Sequence, residues 1–347
     1  MQSKTLGVIF SALALALLSL SGSAFYATVP HTESTSTTAA FSYSQAPAHA
    51  LSLFIEPHSG MTPLKQLIAS ASSSIDLVMY EFEDQSIEQL LAQKAAQGIS
   101  VRVILDNGYF GGGNQHTEIA YDYLRSHGVQ VAWSSSRFAL THEKSLVIDN
   151  ATAVIMTFNL TPKYYASDRD FGIIDTDQID VAAMESTFAA DFSGKSSAAQ
   201  NGDDLVWSPG SKEAILDLIN GAQHSLEIYN EEMQDPDIMS ALENAAERGV
   251  QVEVVMTYAS SWKDAFTQLA HAGVQVRTYK ASAPLYIHAK MIVADDARAF
   301  VGSENFSESS LDKNRELGIV LSDPDILAQL KNTFAGDFHA ATPFTAK

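Results

Sequence analysis

The chain has 347 residues, of which 46% are hydrophobic and 18% are charged, a composition that excludes a wholly disordered protein and allows one large or two medium domains. Its 41 acidic residues outnumber 21 Lys and Arg, and the net charge of -20 disfavours general binding to nucleic acid or to an anionic membrane. The lack of cysteine excludes disulfides, thiolate catalysis and thiolate metal sites.

Residues 1–24 have the layout of a secretory signal peptide. Lys4 precedes an apolar run from Leu6 to Leu20, and small residues then lead to a cleavage point after Ala24. The alternative is a permanent membrane anchor, but the run is shorter than the roughly 20 residues that a span needs. We therefore expect export to the periplasm or the medium. Residues 25–49 are rich in Ser, Thr and Ala, and we expect them to form a flexible leader.

The remaining sequence contains two copies of one repeat unit, and we place the two halves at residues 50–195 and 203–340. As one example of the repetition, Gly98–Val103 matches Gly249–Val254. Additional residues around Gly111–Gly113 occur only in the first half and predict a mobile loop there. Strand patterns alternate with helix patterns, which predicts an α/β protein with mostly parallel sheets. Two homologous halves are expected to pack about a pseudo-twofold axis, with equivalent loops facing each other.

One helix in each half carries recognisable end signals. Ser86 and Gln89 have the spacing of a capping box, and Gly98 is expected to end the same helix. In the second half, Asp235-Pro236 is expected to begin the matching helix and Gly249 to end it.

Two histidine motifs carry the strongest functional signal in the chain. His142-Glu143-Lys144 and His288-Ala289-Lys290 are separated by 146 positions (288 minus 142). The same offset relates four further polar pairs downstream: Asp149 and Asp295, Thr157 and Ser303, Asn159 and Asn305, and Asp170 and Glu316. A doubled set of Lys, Asn and hydroxyl donors can surround one phosphate, which predicts an electrostatic clamp that needs no metal.

The paired histidines suit in-line displacement at phosphorus. One imidazole can attack while the other, on the opposite side, protonates the leaving oxygen. Asp170 and Glu316 are expected to bind the second ring nitrogen of a histidine, which fixes its tautomer and raises its basicity.

This pattern resembles the signature of the phospholipase D superfamily, His-x-Lys-x4-Asp followed by Gly-Ser-x-Asn. The second copy matches it through Gly302–Asn305, whereas the first copy has Met156-Thr157-Phe158-Asn159. The resemblance implies two phospholipase D-like α/β/α halves with one shared active site, and phosphodiester hydrolysis through a phosphohistidine without metal or other cofactor. It points to His142 as the nucleophile and implies that Asp149 and Asp295 are more structural than catalytic. The full catalytic group is then His142, Lys144, Asp149, His288, Lys290 and Asp295, with Thr157, Asn159, Ser303 and Asn305 as phosphate ligands.

Several substrate classes remain open for such a site. A secreted phospholipase D would release phosphatidic acid and a free head group, and could also transfer the phosphatidyl group to an alcohol. The alternatives are a secreted nuclease, a phosphatidyl-transferring synthase and an inactive phosphate-binding relative. The acidic charge opposes a long phosphate array and favours a phospholipid with one phosphate. We therefore expect a monomer that contacts a membrane surface transiently, with nucleic acid as a partner only under the nuclease alternative.

Overall fold

Each half of the chain folds around its own β-sheet. The computed structural model describes residues 50–106, 115–195 and 197–346. The predicted signal peptide, the predicted leader and the predicted Gly111–Gly113 loop lie outside the described residues. No helix within the described ranges is long and apolar enough to cross a membrane.

The first half contains seven of the described strands and four helices. The strands are β1 (Leu51–Glu56), β2 (Ser74–Met79), β3 (Ser100–Leu105), β4 (Gln130–Trp133), β5 (Ser145–Ile148), β6 (Thr152–Met156) and β7 (Asp168–Asp175). The helices are α1 (Thr62–Ser70), α2 (Gln85–Ala96), α3 (Gln115–Ser126) and α4 (Gln178–Phe192).

The second half repeats this arrangement with additions. Its described strands are β8 (Leu205–Ser208), β9 (Ser225–Tyr229), β10 (Gln251–Thr257), β11 (Gln275–Tyr279), β12 (Tyr286–Ile287), β13 (Lys290–Ala294), β14 (Arg298–Gly302), β15 (Glu316–Leu321) and β16 (Thr342–Pro343). Its helices are α5 (Ser211–Gly221), α6 (Pro236–Glu247), a short 3-10 turn (Ser260–Trp262), α7 (Lys263–His271), α8 (Glu308–Asp312) and α9 (Pro324–Ala340).

The strand order confirms the mixed α/β class but corrects the expected strand direction. The orders are β1-β7-β6-β5-β2-β3-β4 and β16-β11-β10-β9-β13-β14-β15-β8. Along these paths, only β2–β3–β4 and β9–β10–β11 pair in parallel. The prediction of mostly parallel sheets is therefore wrong. The motif strands instead pair as antiparallel hairpins, β5 with β6 and β13 with β14. The two central residues of the first turn, Asp149 and Asn150, have positive φ (55° and 50°), as do Asp295 and Asp296 in the second.

The helix ends agree with the sequence in the second half and differ at the start of α2. Asp84, not Ser86, caps α2, because its carboxylate accepts hydrogen bonds from the backbone N–H groups of Ser86 and Ile87. Asp235 caps α6 in the same way, with Pro236 in the first turn. Gly98 and Gly249 follow the two helices with φ of 87° and 89°, a conformation that glycine adopts without strain.

A shared hydrophobic core joins the two sheets. In β6, Ala153 and Ile155 face this shared core, whereas Val154 and Met156 face the core beneath α1–α3. The other side of the shared core comes from the second sheet and from α9, including Phe334. Burying an aliphatic side chain contributes roughly 1.5–3 kcal/mol, so this core holds the halves together firmly.

Candidate active site

A cleft of 1020 Å³ contains both motif histidines. Residues from the two halves contribute to its walls, so neither half forms the cleft alone. Six of the residues that the sequence singled out line it: His142, Asn159, Asp170, His288, Asn305 and Glu316.

Backbone pairing between the halves positions each histidine. The N–H groups of His142 and Glu143 donate to the carbonyl oxygen of Arg315 at 2.9 and 3.0 Å. In the matching place, the N–H of Ala289 donates to the carbonyl of Arg169 at 2.9 Å. Arg315 and Arg169 directly precede the two predicted orienting carboxylates, so each histidine is brought beside the acid of the opposite half.

Each histidine accordingly forms a hydrogen bond with a carboxylate from the other half. His142 Nδ1 lies 2.7 Å from Glu316 Oε2, and His288 Nδ1 lies 2.9 Å from Asp170 Oδ1. A carboxylate can only accept, so each Nδ1 carries the hydrogen and Nε2 is left for chemistry. Glu316 is fixed further by Ser310 Oγ at 2.5 Å and Asn314 Nδ2 at 2.9 Å.

The surroundings of His142 favour a neutral ring. Burial lowers its pKa to about 4, because the effect of desolvation and of the Lys144 charge exceeds the opposing effect of Glu316. The edge of the ring packs against Tyr80, with the ring centroids 4.7 Å apart and the planes at 70°. A neutral imidazole with hydrogen on Nδ1 has its lone pair on Nε2, the form that a nucleophile requires.

The two motif lysines are buried behind the histidines. Each ammonium donates to the carbonyl oxygen of its own motif histidine at 2.6 Å, Lys144 to His142 and Lys290 to His288. Burial lowers the pKa of Lys144 to about 7, although the charge of Glu316 opposes the shift. Neither lysine lines the cleft, but an ammonium has three N–H donors. Lys144 uses one of them on the carbonyl, and Lys290 uses one on the carbonyl and one on Glu231, so each keeps a donor for a phosphate oxygen.

The two asparagines line the cleft, as their predicted phosphate contacts require. Asn159 Oδ1 accepts a hydrogen bond from the N–H of Glu81 at 3.4 Å, which leaves its amide N–H groups as donors. Asn305 is held through its backbone N–H, which donates to Ser310 Oγ at 2.7 Å.

The predicted phosphate contacts of Thr157 and Ser303 do not fit the structure. Thr157 Oγ1 donates to Asp170 Oδ1 at 2.5 Å and accepts from the N–H of Phe171 at 2.9 Å. Ser303 Oγ accepts from the N–H of Leu317 at 3.2 Å and donates to the Leu317 carbonyl at 3.5 Å, and neither Thr157 nor Ser303 lines the cleft. Both hydroxyls are therefore engaged inside the protein, where Thr157 fixes the carboxylate that orients His288.

The structure also places Asp149 and Asp295 outside the cleft, which removes them from the catalytic group. The Asp149 carboxylate accepts backbone N–H groups at the start of β2, and Asp295 does the same at the start of β9: Ser72, Ser73 and Ser74 for the first, and Gln223, His224 and Ser225 for the second. Burial opposes the shift, but these donors hold the pKa of both carboxyls below the usual range. The two aspartates thus tie each motif hairpin to its sheet, as the family resemblance implied.

The motif pattern does not point to Glu231, which the structure places at the centre of the site. Its Oε2 accepts from Lys290 Nζ at 3.1 Å and lies 3.6 Å from His288 Nε2, and its Oε1 accepts from the Tyr286 hydroxyl at 2.9 Å. The only available signal was its place just after β9, where α/β proteins collect functional residues. Comparison of the two halves does not reveal Glu231, because the matching position after β2 is Tyr80 and not an acid.

Comparison with known proteins identifies the same two segments. A family model described as "Cardiolipin synthase, PLD-like domain" matches residues 64–192 and 215–338. The cardiolipin synthase of Geobacillus thermodenitrificans is 25% identical, and the match covers 77% of this chain and 61% of that protein. Phospholipase D Y of Dictyostelium discoideum is 33% identical over 40% of this chain and 37% of that protein. The chain thus spans about three fifths of the length of the Geobacillus relative.

Solved structures share the fold at low sequence identity. The phosphatidylserine synthase of Haemophilus influenzae superposes with a TM-score of 0.68 and 14% identity, over 87% of this chain and 89% of that one. The polyphosphate kinase of Porphyromonas gingivalis gives a TM-score of 0.64 and 16% identity, over 83% of this chain and 50% of that one. These similarities confirm the two-halved fold.

Proposed function

The chain belongs to the phospholipase D superfamily of phosphodiesterases, and from this we propose that it cleaves glycerophospholipids to phosphatidic acid and a free head group through a phosphohistidine. The observation that carries the proposal is the pair of histidines in one cleft, each bonded through Nδ1 to an acid of the opposite half.

In the first step, His142 Nε2 attacks phosphorus. The P–N bond forms while the bond to the head-group oxygen breaks, and the electron pair of that bond leaves with the oxygen. His288 Nε2 donates its proton to this oxygen, so the head group departs with a neutral hydroxyl and not as an alkoxide. Glu316 favours the positive charge that develops on His142.

In the second step, His288 is a base. It accepts the proton of an entering water molecule, the water oxygen attacks phosphorus, and the P–N bond breaks. This step releases phosphatidic acid and restores both histidines. Lys144, Lys290, Asn159 and Asn305 stabilise the charge on the non-bridging oxygens during both steps.

The cleft lining supports a substrate with one phosphate. Among the described residues that line the cleft none is Lys or Arg, whereas five carboxylates besides the orienting pair do line it: Glu56, Glu81, Asp168, Glu231 and Glu232. A polyanion would meet several negative charges there, and binding to nucleic acid depends on many cationic contacts. Aromatic side chains supply apolar surface for the diacyl part of a lipid: Tyr80, Phe158, Tyr164, Tyr165, Trp262 and Tyr286.

Transfer to an alcohol is a second candidate outcome of the same chemistry. The relatives that are named cardiolipin synthases favour it. An alcohol presents the same reacting oxygen as water, so it can take the phosphatidyl group from His142 and form a new phosphodiester.

The proposal includes action outside the cytoplasm. Its support is the signal-peptide pattern of residues 1–24, and N-terminal sequencing of the protein recovered from cells tests it, with Phe25 as the expected first residue.

The deciding experiment offers the protein vesicles of phosphatidylcholine or phosphatidylglycerol, and single-stranded DNA, in the presence of EDTA. We expect phosphatidic acid from lipid, and phosphatidylethanol in addition when ethanol is present. His142→Asn serves as the inactive control. Cleavage of DNA without cleavage of lipid would replace this proposal by the nuclease alternative, and activity that EDTA abolishes and added metal restores would contradict the metal-free mechanism.

A further inference from the structure

The two halves of the cleft are unequal at one matched position. After β2 this position is Tyr80, and after β9 it is Glu231. Tyr80 places an aromatic ring against His142 and over the Lys144 ammonium, which lies 5.1 Å from the ring centroid. Glu231 instead places a carboxylate against Lys290 and near His288.

As a result, His288 has a carboxylate near both ring nitrogens. Asp170 lies at Nδ1 at 2.9 Å and Glu231 lies 3.6 Å from Nε2. A carboxylate can only accept a hydrogen bond, so two carboxylates favour a ring that carries hydrogen on both nitrogens. Only the imidazolium form of histidine does so. No ion pair is found at Nε2 of His142 among the described residues; its single carboxylate partner is Glu316, at Nδ1.

Glu231 is held firmly enough to act on the ring. Tyr286 and Lys290 each donate to one of its oxygens. Burial by itself would raise the pKa of Glu231, but Lys290, His288 and Tyr286 outweigh that effect and hold the pKa well below its usual range. A lowered pKa favours the charged form of Glu231 at neutral pH. The other charged groups around His288 are Asp168, Asp170 and Lys290.

We propose that Glu231 is a positioning residue that makes His288 the proton donor of the first step, and so assigns the two otherwise equivalent histidines to different roles. The inference rests on the proposed phosphohistidine chemistry, but it holds for any phosphodiester with an aliphatic leaving group. An alkoxide needs a proton in order to leave, whereas a nitrophenolate needs little help. Loss of Glu231 should therefore reduce the cleavage rate only for substrates with an aliphatic leaving group.

The test compares Glu231→Gln with the wild type on two kinds of substrate. One is a p-nitrophenyl phosphodiester, and the other is whichever aliphatic substrate the protein cleaves, lipid or single-stranded DNA. We expect kcat/KM to fall about 10-fold or more for the aliphatic substrate and less than about 3-fold for the nitrophenyl ester. Glu231→Asp keeps the charge and should restore most of the loss.

Two controls separate a role through His288 from a general effect on the cleft. Glu308→Gln removes a carboxylate that pairs with Lys313 and does not line the cleft, so it should show no dependence on the leaving group. In a His288→Asn background, Glu231→Gln should add less than about a 2-fold further loss, because the residue through which it acts is already missing.

Equal losses on both substrates, or additive losses in the double variant, would overturn the proposal and leave Glu231 a structural partner of Lys290. A gain in activity with a lower KM would overturn it too, because Glu231 would then act only as a competitor of phosphate for Lys290.

If Glu231→Gln does not fold, Tyr286→Phe removes one donor from Glu231 and should give a smaller loss with the same dependence on the leaving group. A protein that cleaves DNA but not lipid would refute the lipid substrate while leaving this test intact.

Discussion

At the scale of single residues, the two histidines differ through their neighbours rather than through their own bonds. Both use Nδ1 to bond an acid of the opposite half. His142 packs against Tyr80 and has a pKa lowered by burial to about 4, which favours the neutral ring that the proposed nucleophile requires. His288 lies between Asp170 and Glu231, which suits a proton donor.

Replacement of the histidines should separate these roles. His142→Asn should abolish cleavage of every phosphodiester, since it removes the imidazole that is proposed to form the P–N bond. His288→Asn should impair aliphatic leaving groups by about 100-fold or more and spare p-nitrophenyl esters in comparison. Initial rates on both substrates measure this, and the reverse pattern would exchange the two assignments.

The low pKa of Lys144 predicts a loss of activity at alkaline pH. Burial brings its pKa to about 7, so the free enzyme loses this positive charge as the pH rises through 7. We expect kcat/KM to fall above pH 7. A bound phosphate should raise the pKa of the ammonium, so the fall in kcat should occur at higher pH. Identical pH profiles for kcat and kcat/KM would contradict this assignment.

The orienting carboxylates should matter less than the histidines themselves. Asp170→Asn and Glu316→Gln keep the shape of each pair but remove the charge that favours an imidazolium. We expect turnover to fall roughly 10- to 100-fold in each variant. Full activity in both, measured on an aliphatic substrate, would mean that orientation comes from the backbone pairing alone.

At the scale of elements, two buried ion pairs connect each half to a helix of the other. Arg169 in β7 bonds Asp337 in α9 at 2.6 Å, and Arg315, just before β15, bonds Asp191 in α4 at 2.8 Å. Both pairs are related by the offset of 146 that relates the catalytic motifs. Since Arg169 and Arg315 also supply the carbonyls that hold the histidine segments, these pairs fix the site and the interface together.

Breaking one of these pairs should destabilise the whole protein. Among the described residues, Arg169→Met leaves the buried Asp337 with only the Tyr229 hydroxyl, at 2.7 Å, as a side-chain partner. We expect the free energy of unfolding in urea to fall by about 3–5 kcal/mol. Replacing Arg169 and Asp337 together by apolar residues should cost less than the single change. The exposed pair of Lys313 and Glu308 is the matched control, and Glu308→Gln should leave the unfolding midpoint unchanged.

At the scale of the whole molecule, one chain supplies a complete site because both halves contribute to the same cleft. We therefore predict that mixing the His142→Asn and His288→Asn variants restores no activity on an aliphatic substrate. An enzyme assembled from halves of two chains would instead regain part of its activity on mixing, because a mixed pair contains one intact site. Light scattering on the same samples reports whether the protein is a monomer.

The sequence by itself determined the doubling of the chain, the family and the chemical types at the site. These features are visible because the spacings from histidine to lysine, asparagine and acid are covalent distances that repeat with one offset. The alternation of strand and helix patterns likewise predicted the α/β class, which the structure and the solved relatives confirm. The prediction of strand direction was wrong because the strands of the short motif hairpins have the same local sequence pattern as strands that are joined by helices.

Only the tertiary structure decided which acid orients which histidine, which hydroxyls face inward and where Glu231 lies. His142 and Glu316 are 174 positions apart, and His288 and Asp170 are 118 apart, so no local pattern encodes either pairing. Thr157 has the right chemistry for a phosphate ligand, but packing turns its hydroxyl onto Asp170. Glu231 breaks the internal repeat, and a functional residue that differs between two copies becomes recognisable only when folding places it beside its partners.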